Sequence, residues 1–116
     1  MLRVLNIGNN VGISNSVITA YKSITIEDDV LIGAGCLITD SDHHPLNYED
    51  RINGSEPKSA PILIKEGSFV GANSIILKGV TIGKHSVIGA GSVVTRSVPD
   101  GELWAGNPAK FIKRVD

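Results

Sequence analysis

From Ile64 onward an aliphatic side chain recurs at every sixth position: Ile64, Val70, Ile76, Ile82, Ile88 and Val94. Neither the 3.6-residue turn of an α-helix nor the two-residue alternation of an ordinary strand has that period. Two positions before each later member stands a small or β-branched residue (Ser68, Ser74, Val80, Ser86, Ser92), and Gly71, Gly83 and Gly89 follow three of them. Such a repeat predicts a parallel β-solenoid. Each hexad supplies one short strand and a turn, three hexads close a triangular coil of about 18 residues, and the aliphatic side chains stack along the axis. Sandwich strands would require the two-residue alternation that this run lacks.

The same period runs through the first third of the chain in a worn form, at Ile7, Ile13, Ile26, Ile32 and Ile38, with a slip near Thr19 to Tyr21. Val11, Val30 and Cys36 occupy the position two before. Residues 2–39 and 62–98 therefore each predict about two coils of a single domain spanning 1–116. Ile26, Ile32, Ile38, Val70, Ile76, Ile82 and Ile88 are its expected interior. Between the two blocks, residues 40–61 (DSDHHPLNYEDRINGSEPKSAP) carry two His, three Pro and no aliphatic repeat. They predict a loop expelled from the solenoid, and loops of this length in compact domains are usually functional or disordered. Residues 99–116 predict two turns and a short tail, with Trp104 and Phe111 placed to cover the open end of the last coil.

Composition narrows the possibilities. At 116 residues the chain suits one domain, and 4% aromatic content fits a prism too narrow for large rings. A net charge of −1 gives no basic surface for nucleic acid or anionic membrane. Cys36 is the only cysteine, so no intrachain disulfide forms; its place in the hexad makes it a small buried hydrophobe. The N-terminal MLRVLNIGNN has neither a signal-peptide core nor a membrane span, so a cytoplasmic location is expected.

Several ordered segments together, GISNSVI, ITIEDDVLIGAGCLITDSDHHPL, VTIGKHSVIGAGSVVTRSVP and WAGNPAKFIKR, resemble the hexapeptide-repeat acyltransferases, and within them the maltose and galactoside O-acetyltransferase branch. The resemblance covers nearly the whole chain. It implies an all-β, left-handed parallel β-helix with one projecting loop, assembled as a homotrimer, and acetyl-CoA as acyl donor with no metal. The histidine before the loop's proline, His44, is then the general base that takes the acceptor's proton, with Asp42 or Asp40 as possible orienting carboxylates. Asn15, His43, Tyr48 and Arg51 are the expected acceptor contacts. Phe69, Gly71, Ala72, Gly89, Ala90, Thr95, Arg96, Lys110 and Lys113 are the expected coenzyme contacts.

The resemblance leaves the acceptor open between a saccharide hydroxyl and the nitrogen of an amino sugar or antibiotic. Two other classes share the repeat. A zinc enzyme on this scaffold needs three convergent histidines, whereas the chain has only His43, His44 and the distant His85. A non-catalytic scaffold would have no use for the intact DHHP at the loop entrance. No Gly-x-Ser-x-Gly elbow is present, and Cys36 falls in the core pattern, so direct transfer without an acyl-enzyme is expected.

Overall fold

The computed structural model describes residues 2–116. The first coil consists of β1 (Val4–Ile7), β2 (Gly12–Ile13) and β3 (Val17–Thr19), and the second of β4 (Ser23–Ile26), β5 (Leu31–Ile32) and β6 (Leu37–Thr39). The third contains β7 (Ile62–Ile64), β8 (Phe69–Val70) and β9 (Ile75–Ile76), and the fourth β10 (Thr81–Ile82), β11 (Val87–Ile88) and β12 (Val93–Val94). A fifth begins at Val98, which bridges Ile82 in parallel, and continues into β13 (Glu102–Gly106) beside β11. Corresponding strands pair in parallel, giving a first face β1-β4-β7-β10, a second β2-β5-β8-β11-β13 and a third β3-β6-β9-β12. This is the left-handed parallel β-helix that the resemblance implies.

Every expected interior residue is buried, from Ile26 through Ile88. The small positions point inward too, and Ser68, Ser74, Ser86 and Ser92 lie in the core with their hydroxyls satisfied by turn carbonyls. Ser74 Oγ donates to Gly89 O at 3.1 Å and Ser92 Oγ to the same carbonyl at 2.6 Å. A buried hydroxyl without such a partner would cost more than a methyl in its place.

The corners explain the rest of the pattern. Asn10, Asp29, Gly67, His85 and Gly101 at the first corner adopt positive φ, as do Asn15, Gly35, Asn73 and Gly91 at the second. Only glycine, and at modest cost Asn, Asp or His, enters that region readily. Gly71 has ordinary φ and meets a different constraint: a Cβ there would stand 2.6 Å from the Ala90 backbone nitrogen of the next coil.

Register accounts for the slip. Ile18 pairs with Ile38, so the inward column runs Ile13, Ile18, Ile26. One residue is therefore missing at the second corner and two are added at the third, where sequence reading saw a single slip. In the first coil the inward Leu5, Ile7 and Ile13 remain 46%, 48% and 36% exposed, because no coil stacks over them. At the opposite end Trp104 lies over Ile88 and packs against the core. Phe111 does not share that role. It is 52% exposed on β14 (Ala109–Arg114), an antiparallel strand into which the expected tail folds by pairing with β13.

Ile82 is fully buried and lies between Ile64 and Val98 in the stack. Ile82→Ala should lower the unfolding free energy in a urea titration by about 2–5 kcal/mol, the usual cost of truncating a buried aliphatic that its neighbours cannot collapse onto.

Candidate active site

The projecting loop leaves the solenoid at the third corner, and its neck is closed by backbone pairing. Ala60 N donates to Asp40 O at 2.9 Å, Ser41 bridges Ser59 in antiparallel fashion, and Asp42 N donates to Lys58 O at 3.0 Å. Asp40 and Ser41 are thus buried members of the solenoid, and the projection proper starts beyond them. Asp40 does not orient an imidazole. Its carboxylate accepts the backbone N–H groups of Tyr21, Lys22 and Ser23, each at 2.7 Å, and so stabilises the corner that carries the two added residues.

Beyond the neck the loop organises itself. It contains one helix, α1 (Tyr48–Asn53), where the sequence showed only a loop; Asn47 caps its N-terminus by accepting Asp50 N–H, and Gly54 ends it in the left-handed conformation. Six residues are too few to be helical on propensity alone. A side chain therefore closes the turn: Arg51 Nη1 donates to Pro45 O at 3.1 Å and Leu46 O at 2.7 Å, while the guanidinium lies over Tyr48 with 5.9 Å to its centroid. Glu56 ties the returning segment of the loop to the solenoid by accepting the Tyr21 hydroxyl. That hydrogen bond, aided by desolvation and the carboxylate's charge, holds Tyr21 above the usual tyrosine pKa, and Arg3 over the ring opposes it.

The two adjacent histidines differ. His43 has positive φ, takes Ser41 Oγ as acceptor for its N–H at 3.0 Å, and places Nε2 2.8 Å from Thr39 Oγ1. Thr39 Oγ1 also lies 3.2 Å from Ser41 O, so this one hydroxyl links the His43 ring to the neck of the loop. His44 is exposed, and its ring makes no hydrogen bond among the described residues. It sits between two fixed points, the His43 turn and the Pro45 carbonyl held by Arg51. Asp42 bonds to neither ring: its Oδ1 pairs with Lys78 Nζ at 2.7 Å, and its Oδ2 is buried without a partner. Lys78 and the Tyr21–Glu56 tie escaped sequence reading because each joins residues more than thirty positions apart, whereas Thr39 is a local partner, four residues before His43, that only the turn of the chain reveals.

The remaining candidates fall in separate places. Asn15, exposed and at positive φ, lies in the second-corner column with Gly71, Ala72, Gly89 and Ala90. A Cβ added at Gly71 or Gly89 would meet the next coil, at Ala90 and Ala105 respectively. Thr95 and Arg96 are exposed past β12 at the third corner, Lys110 and Lys113 lie on β14, and Phe69 points outward from β8, 44% exposed. His44 and Asn15 therefore stand on opposite margins of the third face of one chain. Among the described residues no group of three or more His, Cys, Asp or Glu is arranged to hold a metal ion. No helix among them is long and apolar enough to cross a membrane.

Two family descriptions match: bacterial transferase hexapeptide (six repeats) over residues 61–96, and hexapeptide repeat of succinyl-transferase over residues 5–40. Galactoside O-acetyltransferase of Escherichia coli (strain K12) is 39% identical over 102 residues, covering 88% of this chain and 49% of that protein. Among solved structures, a galactoside acetyltransferase in complex with coenzyme A superposes with a TM-score of 0.90 at 37% identity, over 97% of this chain and 56% of that one. A hexapeptide-repeat acetyltransferase of Vibrio cholerae O1 biovar eltor complexed with acetyl coenzyme A also gives 0.90, at 36% identity, over 97% and 61%. The chain spans about a third to a half of the length of the curated relatives it matches.

Two outcomes test the loop's supports. Asp40→Ala should destabilise the fold by about 1.5–3 kcal/mol in denaturant titration, because it strips backbone donors of a charged acceptor. Because Tyr21 is raised, its tie to Glu56 is complete at neutral pH and is lost as pH climbs through the raised value. Glu56→Gln should bring Tyr21 ionisation back toward the ordinary tyrosine range in an ultraviolet titration.

Proposed function

Since the chain belongs to the hexapeptide-repeat transferase family, we propose that it acts as an acetyl-CoA-dependent O-acetyltransferase on a saccharide hydroxyl, with His44 as general base. The observation that carries this reading is His44 itself. An exposed imidazole with no partner among the described residues stands on a turn fixed at both ends, in a fold that superposes on complexes with coenzyme A and acetyl coenzyme A.

In this scheme the neutral imidazole accepts the acceptor's hydroxyl proton while that oxygen attacks the thioester carbonyl. The tetrahedral oxyanion is met by a preorganised donor such as a backbone N–H. Collapse breaks the C–S bond and leaves the acetyl ester, and the thiolate of coenzyme A recovers the proton from the imidazolium. Cys36 takes no part: it is 2% exposed, and its Sγ lies 3.3 Å from Gly71 O. The acetyl donor's cellular pool and the single reduced thiol favour a cytoplasmic location.

The outer surface supports a homotrimer. The second face bears an apolar stripe of Leu31, Phe69, Val87 and Leu103, the third face one of Val17, Leu37, Ile75 and Val93. On the first face, Thr25 and Thr81 flank Leu63. Two adjacent apolar faces suit a cyclic assembly in which each copy packs against both neighbours. The proposed assembly sets the His44 margin of one copy across a cleft from the Asn15 margin of a neighbour, groups that a single chain keeps apart.

His44→Ala should lower turnover in a thiol-release assay by about 10²–10⁴-fold with coenzyme A affinity nearly intact, and Cys36→Ser should keep most activity. Ping-pong kinetics would overturn direct transfer. Light scattering should report a trimer at micromolar concentration; a monomer there would remove the shared site.

A further inference from the structure

The turn that carries His43 and His44 is held mostly from within the loop. Ser41 Oγ accepts the His43 N–H, Asp42 N donates to Lys58 O across the neck, and Arg51 fixes the Pro45 carbonyl. Thr39, on the strand leading in, meets the His43 ring. One contact to this turn among the described residues comes from another coil. Lys78 Nζ donates to Asp42 Oδ1 at 2.7 Å, joining residues 36 positions apart.

Lys78 is itself firmly rooted. It lies at the third corner between β9 and β10, where Leu77 N donates to Val94 O at 3.2 Å and Gly79 N to Ala60 O at 3.0 Å, so both flanking residues are fixed to adjacent coils. Ala60 N in turn donates to Asp40 O, and a backbone ladder therefore runs from the corner of Lys78 to the foot of the loop. The Lys78 side chain spans the same step on its four-carbon stem and meets the chain two residues before His44.

This pair differs from a solvent-screened surface pair. Its side chains are only 33% and 17% exposed, and Asp42 Oδ2 is buried without a partner. A sheltered pair is screened weakly, and a carboxylate with one oxygen orphaned depends on the ammonium at the other. Lys58 faces Asp42 across the neck but offers its carbonyl, not its ammonium. The carboxylate nearest the histidines in the loop is thus turned to the scaffold, away from both rings.

Resting on the reading of His44 as the base, we propose that Lys78 is a positioning residue for the reaction: its bond to Asp42 fixes the His43–His44 turn against the next corner of the solenoid. Thr95 and Arg96, the expected coenzyme contacts, follow at the third corner one coil further on. Base and coenzyme contacts are thereby referenced to one rigid edge, and Lys78 acts through the turn and not on the substrates. Misplacing a reacting group by about 1 Å is enough to cost about 100-fold in rate.

The test separates position from stability. Lys78→Met leaves the Asp42 charge unpaired, so the Asp42→Asn, Lys78→Met double variant, which removes both charges, is measured beside it, with Lys78→Arg as the variant that keeps a cation on a long stem. Amide relaxation by nuclear magnetic resonance should give His43 and His44 order parameters of about 0.85 in the parent and below about 0.6 in Lys78→Met and in the double variant. His85, on the first corner, should not change. In thiol release both variants should lose about 10- to 100-fold in kcat, with the KM for acetyl-CoA within about 3-fold of the parent, and Lys78→Arg should keep at least about a third of the parent kcat. The double variant should regain the parent's urea midpoint and still turn over slowly, which a purely structural pair would not do. Parent-like order or kcat in the double variant, or a Lys78→Arg no faster than Lys78→Met, would overturn the proposal. His44→Ala, assayed in parallel, tests the reading beneath it. Parent-like thiol release there removes His44 as base, whereas a slow His44→Ala beside a fully active, ordered double variant removes the positioning role alone.

Discussion

Each coil must lie on the one before it, strand over strand, because the backbone N–H and C=O groups of its strands find their partners in the coils above and below. Nearly every feature of the chain answers to that demand. The inward side chains form columns because the strands are in register, and the corners must turn the chain within a few residues, which places Asn, Asp, His and Gly at positive φ. Where one coil's corner touches the next, as at Gly71 beneath Ala90, there is no room for a Cβ. The energetics are correspondingly local: a coil senses its two neighbours and little else.

The loop is the place where the chain leaves this arrangement, and the structure contains the departure with few groups. Asp40 stabilises the irregular corner above, backbone pairs close the neck, and Arg51 and the caps of α1 hold what projects. The result is a histidine free on a constrained turn, at one margin of an apolar face. Asn15, the candidate acceptor contact outside the loop, lies at the far margin, so chemical completeness is tied to association between copies in the proposed scheme.

Most of the fold was legible because the period of six is itself the coil geometry written along the chain. Ile26 to Ile88 could be placed inside from spacing alone, and the buried serines followed from their offset of two. What escaped has a physical reason. The slip near Thr19 divides into a deletion and an insertion only when Ile18 is seen opposite Ile38, a relation fixed by register and not by local pattern. Asp40 looked like a catalytic carboxylate because it stands beside the histidines in sequence, yet its partners are residues 21–23, one coil away. Phe111 looked like an end cap because it is aromatic and terminal, but the hairpin turns it outward. The histidine pair was visible in the sequence. The difference between its members was not, since it depends on which hydroxyls surround each ring.

The neck of the loop has a further consequence. The rungs from Asp40 to Ala60, Ser41 to Ser59 and Asp42 to Lys58 complete the solenoid's own bonding before the chain departs, and the Tyr21–Glu56, Thr39–His43 and Asp42–Lys78 pairs are side-chain hydrogen bonds that tie the loop to the coils. The projecting segment thus hangs from the scaffold as a cassette. Its length and sequence can drift while the coils stay in step, and it can open locally without the prism melting. A lineage of such proteins can exchange what the loop recognises while inheriting the stacked framework unchanged.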